Sequence, residues 1–141
     1  MKRRDARFLV VDDISLSRAA THHALRALGC RLIDEASQGP RAIELLGAEH
    51  YDLVISNWKL PQMSGRELLR LIRSTPRLAA TPVIIATPVT AEVVAEAAEA
   101  GVSAFLPQPF GFQTLEEVLR IFIGKPAPAD RSRPQPRTFL S

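Results

Sequence analysis

The sequence predicts an α/β domain of the (βα)5 kind, a parallel sheet with helices on both faces. Short apolar runs alternate with helix-length amphipathic segments five times over, the rhythm of strands joined by helical crossovers. Glycines close several of the helical segments, where a left-handed residue is wanted. A length of 141 residues accommodates one such domain with ragged ends and needs no disulfide or structural metal to bury its core.

The strand candidates are Phe8–Val11, Leu32–Ile33, Leu53–Ile55, Val83–Ala86 and Ala104–Leu106, the shorter ones placed by position more than by length. Helical patterns fill 15–28, 39–48, 64–74, 90–100 and 113–123. Gly29, Gly101 and Gly124 stand where three of these end, and Thr114-Leu-Glu-Glu117 has the spacing of a capping box at the start of the last. The chain therefore divides into a basic N-terminal arm, 1–6, a domain, 7–124, and a tail, 125–141. The tail reads KPAPADRSRPQPRTFLS, with prolines at 126, 128, 134 and 136. Its composition predicts a flexible, partly polyproline segment.

The net charge of +3 dissolves on inspection. The N-terminal seven residues hold Lys2, Arg3, Arg4 and Arg7 against Asp5, and the tail holds Lys125, Arg131, Arg133 and Arg137 against Asp130, each end worth +3 on its own. Residues 8–124 are therefore net acidic, and no DNA partner is expected. The single cysteine, Cys30, has no partner for a disulfide or zinc site, which suits a reducing compartment. The first apolar run ends in two aspartates after four residues, too short for a secretory core, and no stretch approaches the ~18 apolar residues of a membrane span. The expected location is cytoplasmic.

In a parallel sheet, ligands gather at the carboxyl ends of the strands. Asp12 and Asp13, Asn57, Thr87 and Gln108 all fall at that edge. One polar residue after a strand is ordinarily a loop or helix cap; four such positions together argue for a site. Paired carboxylates repel unless a cation or donor separates them, and Mg²⁺ suits one or two carboxylates plus water.

FLVVDD (8–13), ISNWKLPQMSG (55–65), PVIIAT (82–87), AGVSAFLPQPF (100–110) and TLEEVLRIF (114–122) together resemble a response-regulator receiver domain of the single-domain, CheY-like kind. The likeness covers roughly residues 7 to 124. It implies a flavodoxin-like, doubly wound five-stranded sheet in the order 2-1-3-4-5. It also implies a switch in which an aspartate ending the third strand takes a phosphoryl group from a histidine kinase, with Mg²⁺ held by the acidic pair. A hydroxyl after the fourth strand and a lysine after the fifth would bind the phosphoryl oxygens, and an aromatic of the fifth strand would turn inward.

Carried onto this chain, the acidic pair and metal ligands are Asp12 and Asp13, the hydroxyl Thr87 and the aromatic Phe105. Asn57 occupies the acceptor position and Gln108 the lysine position. An amide has no anionic oxygen with which to attack phosphorus, and glutamine offers dipoles where lysine offers charge. These departures predict a degenerate receiver with weakened Mg²⁺ binding and no catalytic activity. Lys59, two residues past Asn57, is the candidate internal cation for the acidic pocket. Pro88 and Pro107 restrict the loops that a receiver would move. The resemblance also implies a cis bond at Gln108-Pro109 and leaves Phe105 as either a rotating switch or a fixed core aromatic.

Function then passes to surfaces. Glu92, Glu96 and Glu99 make an acidic stripe on the fourth helix, and Arg18, His22 and Arg26 a basic one on the first, both at helical spacing. Two readings stay open. One is a phosphorylation-independent adaptor in bacterial two-component or chemotaxis-type signalling. It would bind a histidine kinase, motor or scaffold protein through helix 1 or the helix 4–strand 5–helix 5 face. The other is a receiver gated by a nucleotide such as cyclic di-GMP, held by Arg131, Arg133 and Arg137 of the tail.

Overall fold

The computed structural model describes residues 1–124. Its strands are β1 (Arg7–Val11), β2 (Leu32–Ala36), β3 (Leu53–Asn57), β4 (Val83–Thr87) and β5 (Ala104–Pro107), alternating with helices α1 (Ser15–Ala27), α2 (Gly39–Ala48), α3 (Gly65–Ser74), α4 (Ala91–Ala100) and α5 (Phe112–Phe122). Every strand pair is parallel. The order is β2-β1-β3-β4-β5, the doubly wound, flavodoxin-like arrangement that the motifs implied.

Successive side chains of a strand point to opposite faces, so each central strand feeds two cores. Phe8, Val10, Leu53, Ile55, Ile84 and Leu106 pack with Leu25 of α1 and Leu115 and Leu119 of α5. Leu9, Val11, Val54, Val83 and Ile85 pack with Leu46 of α2, Leu68 and Ile72 of α3 and Ala97 of α4. Strands buried on both faces read as unbroken apolar runs, which is why β1 and β4 were plain in the sequence. At the sheet's edge, β2 extends three residues beyond the apolar pair Leu32–Ile33. Its Asp34 accepts hydrogen bonds from Tyr51 Oη at 2.7 Å and Arg7 Nη1 at 3.2 Å. Burial first, then the bond to Asp34, pushes the Tyr51 phenol well above its ordinary value, so it remains a donor.

The helix punctuation is partly as expected. Gly29, Gly101 and Gly124 all have positive φ, at 97°, 95° and 133°. The capping box at Thr114 is not formed, because α5 begins at Phe112 with Gly111, three residues before Thr114, as its N-cap and no side-chain cap. Caps form instead at Ser64, whose hydroxyl accepts from Glu67 N at 3.1 Å, and at Thr90, which accepts from Val93 N at 3.2 Å. Ser64-Gly-Arg-Glu67 has the same S-x-x-E spacing as the box sought at Thr114.

The expected N-terminal arm is also corrected. Arg3–Asp5 forms a short 3-10 helix, and Arg3 is buried at 3% exposure. Its guanidinium clasps Glu116 of α5 with both ends, Nη1 to Oε2 at 2.5 Å and Nη2 to Oε1 at 3.0 Å, and donates to the carbonyls of Leu28 and Gly124. Four acceptors in one place compensate a charge removed from water. Cys30 lies beside this pair, and burial pushes its thiol up to about 11, so it is an unreactive core residue.

Arg73 of α3 plays a related structural part. Its guanidinium reaches the carbonyls of Gly101, Ala79 and Thr81 and the Ser103 hydroxyl, tying the end of α4 to the loop before β4. Burial lowers its pKa from the ordinary arginine value. The tail residues Arg131, Arg133 and Arg137 lie outside the described residues. Among the described residues, no helix is long and apolar enough to cross a membrane.

Candidate functional site

Parallel pairing brings the carboxyl ends of β1, β3, β4 and β5 to one edge. Val11 is in register with Ser56, Asn57 with Ala86 and Thr87 with Pro107, so the residues following each strand share one cavity floor. Asp12 is buried there at 3% exposure, with its backbone N–H donating to Ala36 O at 3.0 Å. Asp13, one residue on, turns out to the exposed rim. The acidic pair is therefore one interior carboxylate and one surface carboxylate.

Asn57 completes the interior position. Its Nδ2 donates to Asp12 Oδ1 at 2.8 Å, the same oxygen that accepts Ile14 N at 2.9 Å. Gln108 approaches from β5, its Nε2 making a long 3.5 Å contact to Asn57 Oδ1. The three polar side chains thus run in one direction, Gln108 to Asn57 to Asp12, each amide donating toward the carboxylate. Thr87 Oγ1 bonds the Pro88 carbonyl at 3.2 Å. The Gln108-Pro109 bond is cis.

Lys59 does not become the internal cation. It is exposed on the cleft that Asp13, Asn57 and Trp58 also line, and it enters no salt bridge among the described residues. A donor already bonded to Asp12 from 2.8 Å leaves a flexible lysine little to gain by losing its hydration. Phe105 is partly buried and packs against the core formed with α3 and α4.

The turn from β3 to α3 is tightly built. Gln62 adopts a left-handed φ of 67°, uncommon outside glycine, and Gly65 N donates to Trp58 O at 2.7 Å. A Cβ on Gly65 would stand 2.3 Å from the Asn57 carbonyl oxygen and 2.9 Å from Trp58 Cα. Both obstacles are backbone, so Gly65→Ala must shift the strand end itself. We expect it to cost about 2 kcal/mol in a urea melt and to change the emission of Trp58.

The donor set fits a tight Mg²⁺ site poorly. That ion wants near-ideal octahedral geometry and anionic oxygens. Here one oxygen of the interior carboxylate is already shared by two N–H donors, and an amide stands beside it. Among the described residues, no cluster of three or more histidines, cysteines or acids is arranged to hold a metal.

Two clefts open over this floor. The first, about 720 Å³, is largely apolar, with Ile14, Ala20, Ala24, Phe110 and Phe112 in its walls, and the second, about 600 Å³, carries Asp13, Glu92 and Glu96. Two of the three residues of the acidic stripe of α4, Glu92 and Glu96, therefore face this cavity. Glu99, at its far end, lies 4.0 Å from Arg70. The basic stripe of α1 is engaged too. Arg18 Nε and His22 Nδ1 both bond Glu35 of β2, at 2.9 and 2.8 Å, and Arg26 Nε donates to His22 Nε2 at 2.9 Å. Sequence spacing puts these three on one face; it does not show that Glu35, on the edge strand, claims two of them directly and Arg26 through His22.

Comparison with known proteins agrees with this architecture. The profile of the family described as "Response regulator receiver domain" matches residues 8–120. The chain is 37% identical over 115 residues to the chemotaxis protein CheY of Pseudomonas aeruginosa, covering 79% of this chain and 90% of that protein. It is 36% identical over 117 residues to CheY-3 of Vibrio cholerae, covering 82% and 90%. Among solved structures, chemotaxis response regulator CheY4 of Vibrio cholerae superposes with a TM-score of 0.78 at 28% identity, over 84% of this chain and 98% of that one. The receiver domain of a Pseudomonas aeruginosa sensor histidine kinase, solved with a magnesium ion coordinated in its active site cleft, also gives 0.78, at 25% identity, over 85% and 98%. On the match across its folded body, the chain belongs to the response regulator receiver domain family.

Proposed function

We propose that this receiver signals without phosphorylation, as an adaptor that binds protein partners in a two-component or chemotaxis-type system. One observation carries the reading: the side chain at the end of β3 is an amide that donates to Asp12 from 2.8 Å. In a phosphoacceptor this position must present an anionic oxygen to phosphorus. Here its nitrogen points at the acid pocket and its oxygen toward Gln108. The same hydrogen bond supplies the donor that an interior carboxylate needs, so the pocket is satisfied in its resting state. Gln108 adds no charge to offset a phosphoryl group.

The partner-binding surface is the mouth of the apolar cleft. Ile14 before α1 and Phe112 at the start of α5, both in its walls, are 58% and 53% exposed. Large apolar side chains gathered on a monomer's surface mark an interaction site more often than scattered ones do. The surface suits an amphipathic helix of a kinase, motor or scaffold protein.

The test is incubation of the full chain with acetyl phosphate and Mg²⁺, followed by intact-mass spectrometry. We expect no phosphoryl adduct and no change in affinity for a captured partner. A chain that gains one phosphoryl group under these conditions would overturn the reading.

A further inference from the structure

We propose that Asn57 is a self-processing residue: water activated by Asp12 hydrolyses its side-chain amide to a carboxylate, so that with time the chain acquires an anionic oxygen at the end of β3. The groups for this step are already in place. Asn57 Nδ2 donates to Asp12 Oδ1 at 2.8 Å, and Ile14 N holds the same oxygen at 2.9 Å. Asp12 Oδ2 accepts no hydrogen bond from the described residues and is not sealed from solvent. Asn57 itself is only partly buried and lines both clefts, which gives water a path to its carbonyl carbon.

The step balances with water alone. The water oxygen bonds to the side-chain carbonyl carbon of Asn57 while its proton passes to Asp12, a carboxylate acting as general base. Negative charge moves onto Asn57 Oδ1, which faces Gln108 Nε2 across 3.5 Å, a donor aimed at the oxygen that becomes charged. Protonated Asp12 then gives a proton to Nδ2, which it already touches, the carbon–nitrogen bond breaks and ammonia leaves. Two like charges do not meet until ammonia has gone, so the repulsion between Asp12 and the new carboxylate burdens the product and not the addition of water.

The same architecture opposes the ordinary route. An asparagine in a mobile chain loses its amide by closing a ring onto the next backbone nitrogen, and that ring opens to a mixture of aspartate and isoaspartate. Asn57 ends a strand in register with Ala86. The next residue, Trp58, is 8% exposed, and its carbonyl accepts Gly65 N at 2.7 Å. A backbone fixed on both sides resists ring closure. Folding should therefore slow the ordinary route and speed the one through Asp12, effects of opposite sign. Asn57 is the one asparagine in the chain, so its conversion is read without interference from another. The converted chain is the Asn57→Asp protein, with an oxygen of the kind that attacks phosphorus where the parent has none.

This step starts from the same amide as the adaptor reading but does not rest on that reading. A phosphoryl adduct on freshly prepared, unconverted chain would overturn the adaptor role and leave the rates below readable. The full chain is incubated near neutral pH, folded or in urea, and the peptide carrying Asn57 is followed by mass spectrometry with Asn57→Asp as the chromatographic standard. We expect Asn57 to convert faster in the folded chain than in urea by roughly tenfold or more, short of the ~10²–10⁴ of a fully aligned acid–base group. The product should be aspartate without isoaspartate. Asp12→Asn retains the shape of the pocket and removes the base, so its folded rate should fall to that of the chain in urea. Should circular dichroism show that this variant does not fold, the folded-to-urea ratio of the parent and the identity of its product decide the matter. The proposal fails if the folded parent converts more slowly than the chain in urea, if isoaspartate accompanies the product, or if folded Asp12→Asn loses the Asn57 amide at the parent's rate.

Discussion

Replacing Arg3 by alanine is expected to destabilise the protein by about 3–5 kcal/mol, the usual cost of removing one partner from a buried ion pair. The guanidinium satisfies both oxygens of Glu116 and the carbonyls of Leu28 and Gly124, joining the N-terminus, the end of α1 and the last turn of α5. Its loss leaves Glu116, whose side chain is 17% exposed, with only Arg120 at 3.0 Å. A domain of this size is stable by about 5–15 kcal/mol, so the change should be plain as a fall in the urea midpoint at constant slope. Arg3→Ala combined with Glu116→Leu should recover part of the loss, because the uncompensated carboxylate is then gone. A single variant within about 1 kcal/mol of the parent would mean that residues 1–6 are a solvated arm after all.

The same pair has a pH signature. Burial alone would raise the Glu116 carboxyl, but the hydrogen bonds and charges of Arg3 and Arg120 outweigh it and hold the group below the ordinary carboxylate value. A depressed folded-state pKa contributes stability above the unfolded value and loses it as pH falls through the folded one. The parent should therefore weaken between the ordinary glutamate range and the acid side of it. Arg3→Ala should lack most of that acid limb.

Why this clasp was invisible in the sequence, while the sheet was not, follows from the range of the signals. Apolar runs such as Val83–Ala86 and glycines such as Gly101 report on their own neighbourhood, and local periodicity is enough to place them. Arg3 and Glu116 are separated by 113 positions, and a cluster of basic residues near a terminus carries the same pattern whether one of them is buried or none is. The partners of Asp12 show the same limit. For that pocket the sequence offers Lys59, two residues past Asn57, as a candidate cation. Strand register decided for the amide, since Val11 lies beside Ser56 and Asn57 follows on the same edge. Position within the receiver motif located Asp12, Asn57, Thr87 and Gln108. Which of them touch, and that Asp13 and Lys59 remain at the rim, depended on side-chain direction.

Changing Asn57 to aspartate should convert a self-satisfied pocket into one that demands a cation. The amide nitrogen now 2.8 Å from Asp12 Oδ1 would be replaced by a second carboxylate oxygen. Two like charges relaxed to ~4 Å at an effective dielectric of ~20 repel by on the order of 4 kcal/mol, before protonation of one of them relieves part of it. In metal-free buffer near neutral pH the variant should therefore be less stable than the parent by about 3 kcal/mol. The deficit should shrink on mild acidification, because a carboxyl whose folded-state pKa is raised costs stability only as pH rises through its titration. Mg²⁺ should restore what the charge removed, since a ligand at a hundred times its dissociation constant adds about 2.7 kcal/mol. Trp58 is 8% exposed and lines the same cleft, so its fluorescence reports the titration. We expect a saturating response in the variant at a concentration at least tenfold below any response of the parent. Equal Mg²⁺ affinity in the two proteins would mean that the Asn57 carbonyl serves as a metal ligand and that the hydrogen bond to Asp12 yields to it. If the variant also takes a phosphoryl group from acetyl phosphate while Asn57→Asp with Gln108→Lys takes it faster, then the two side chains together account for the silence expected of the parent. The scaffold around them would then be a receiver in working order.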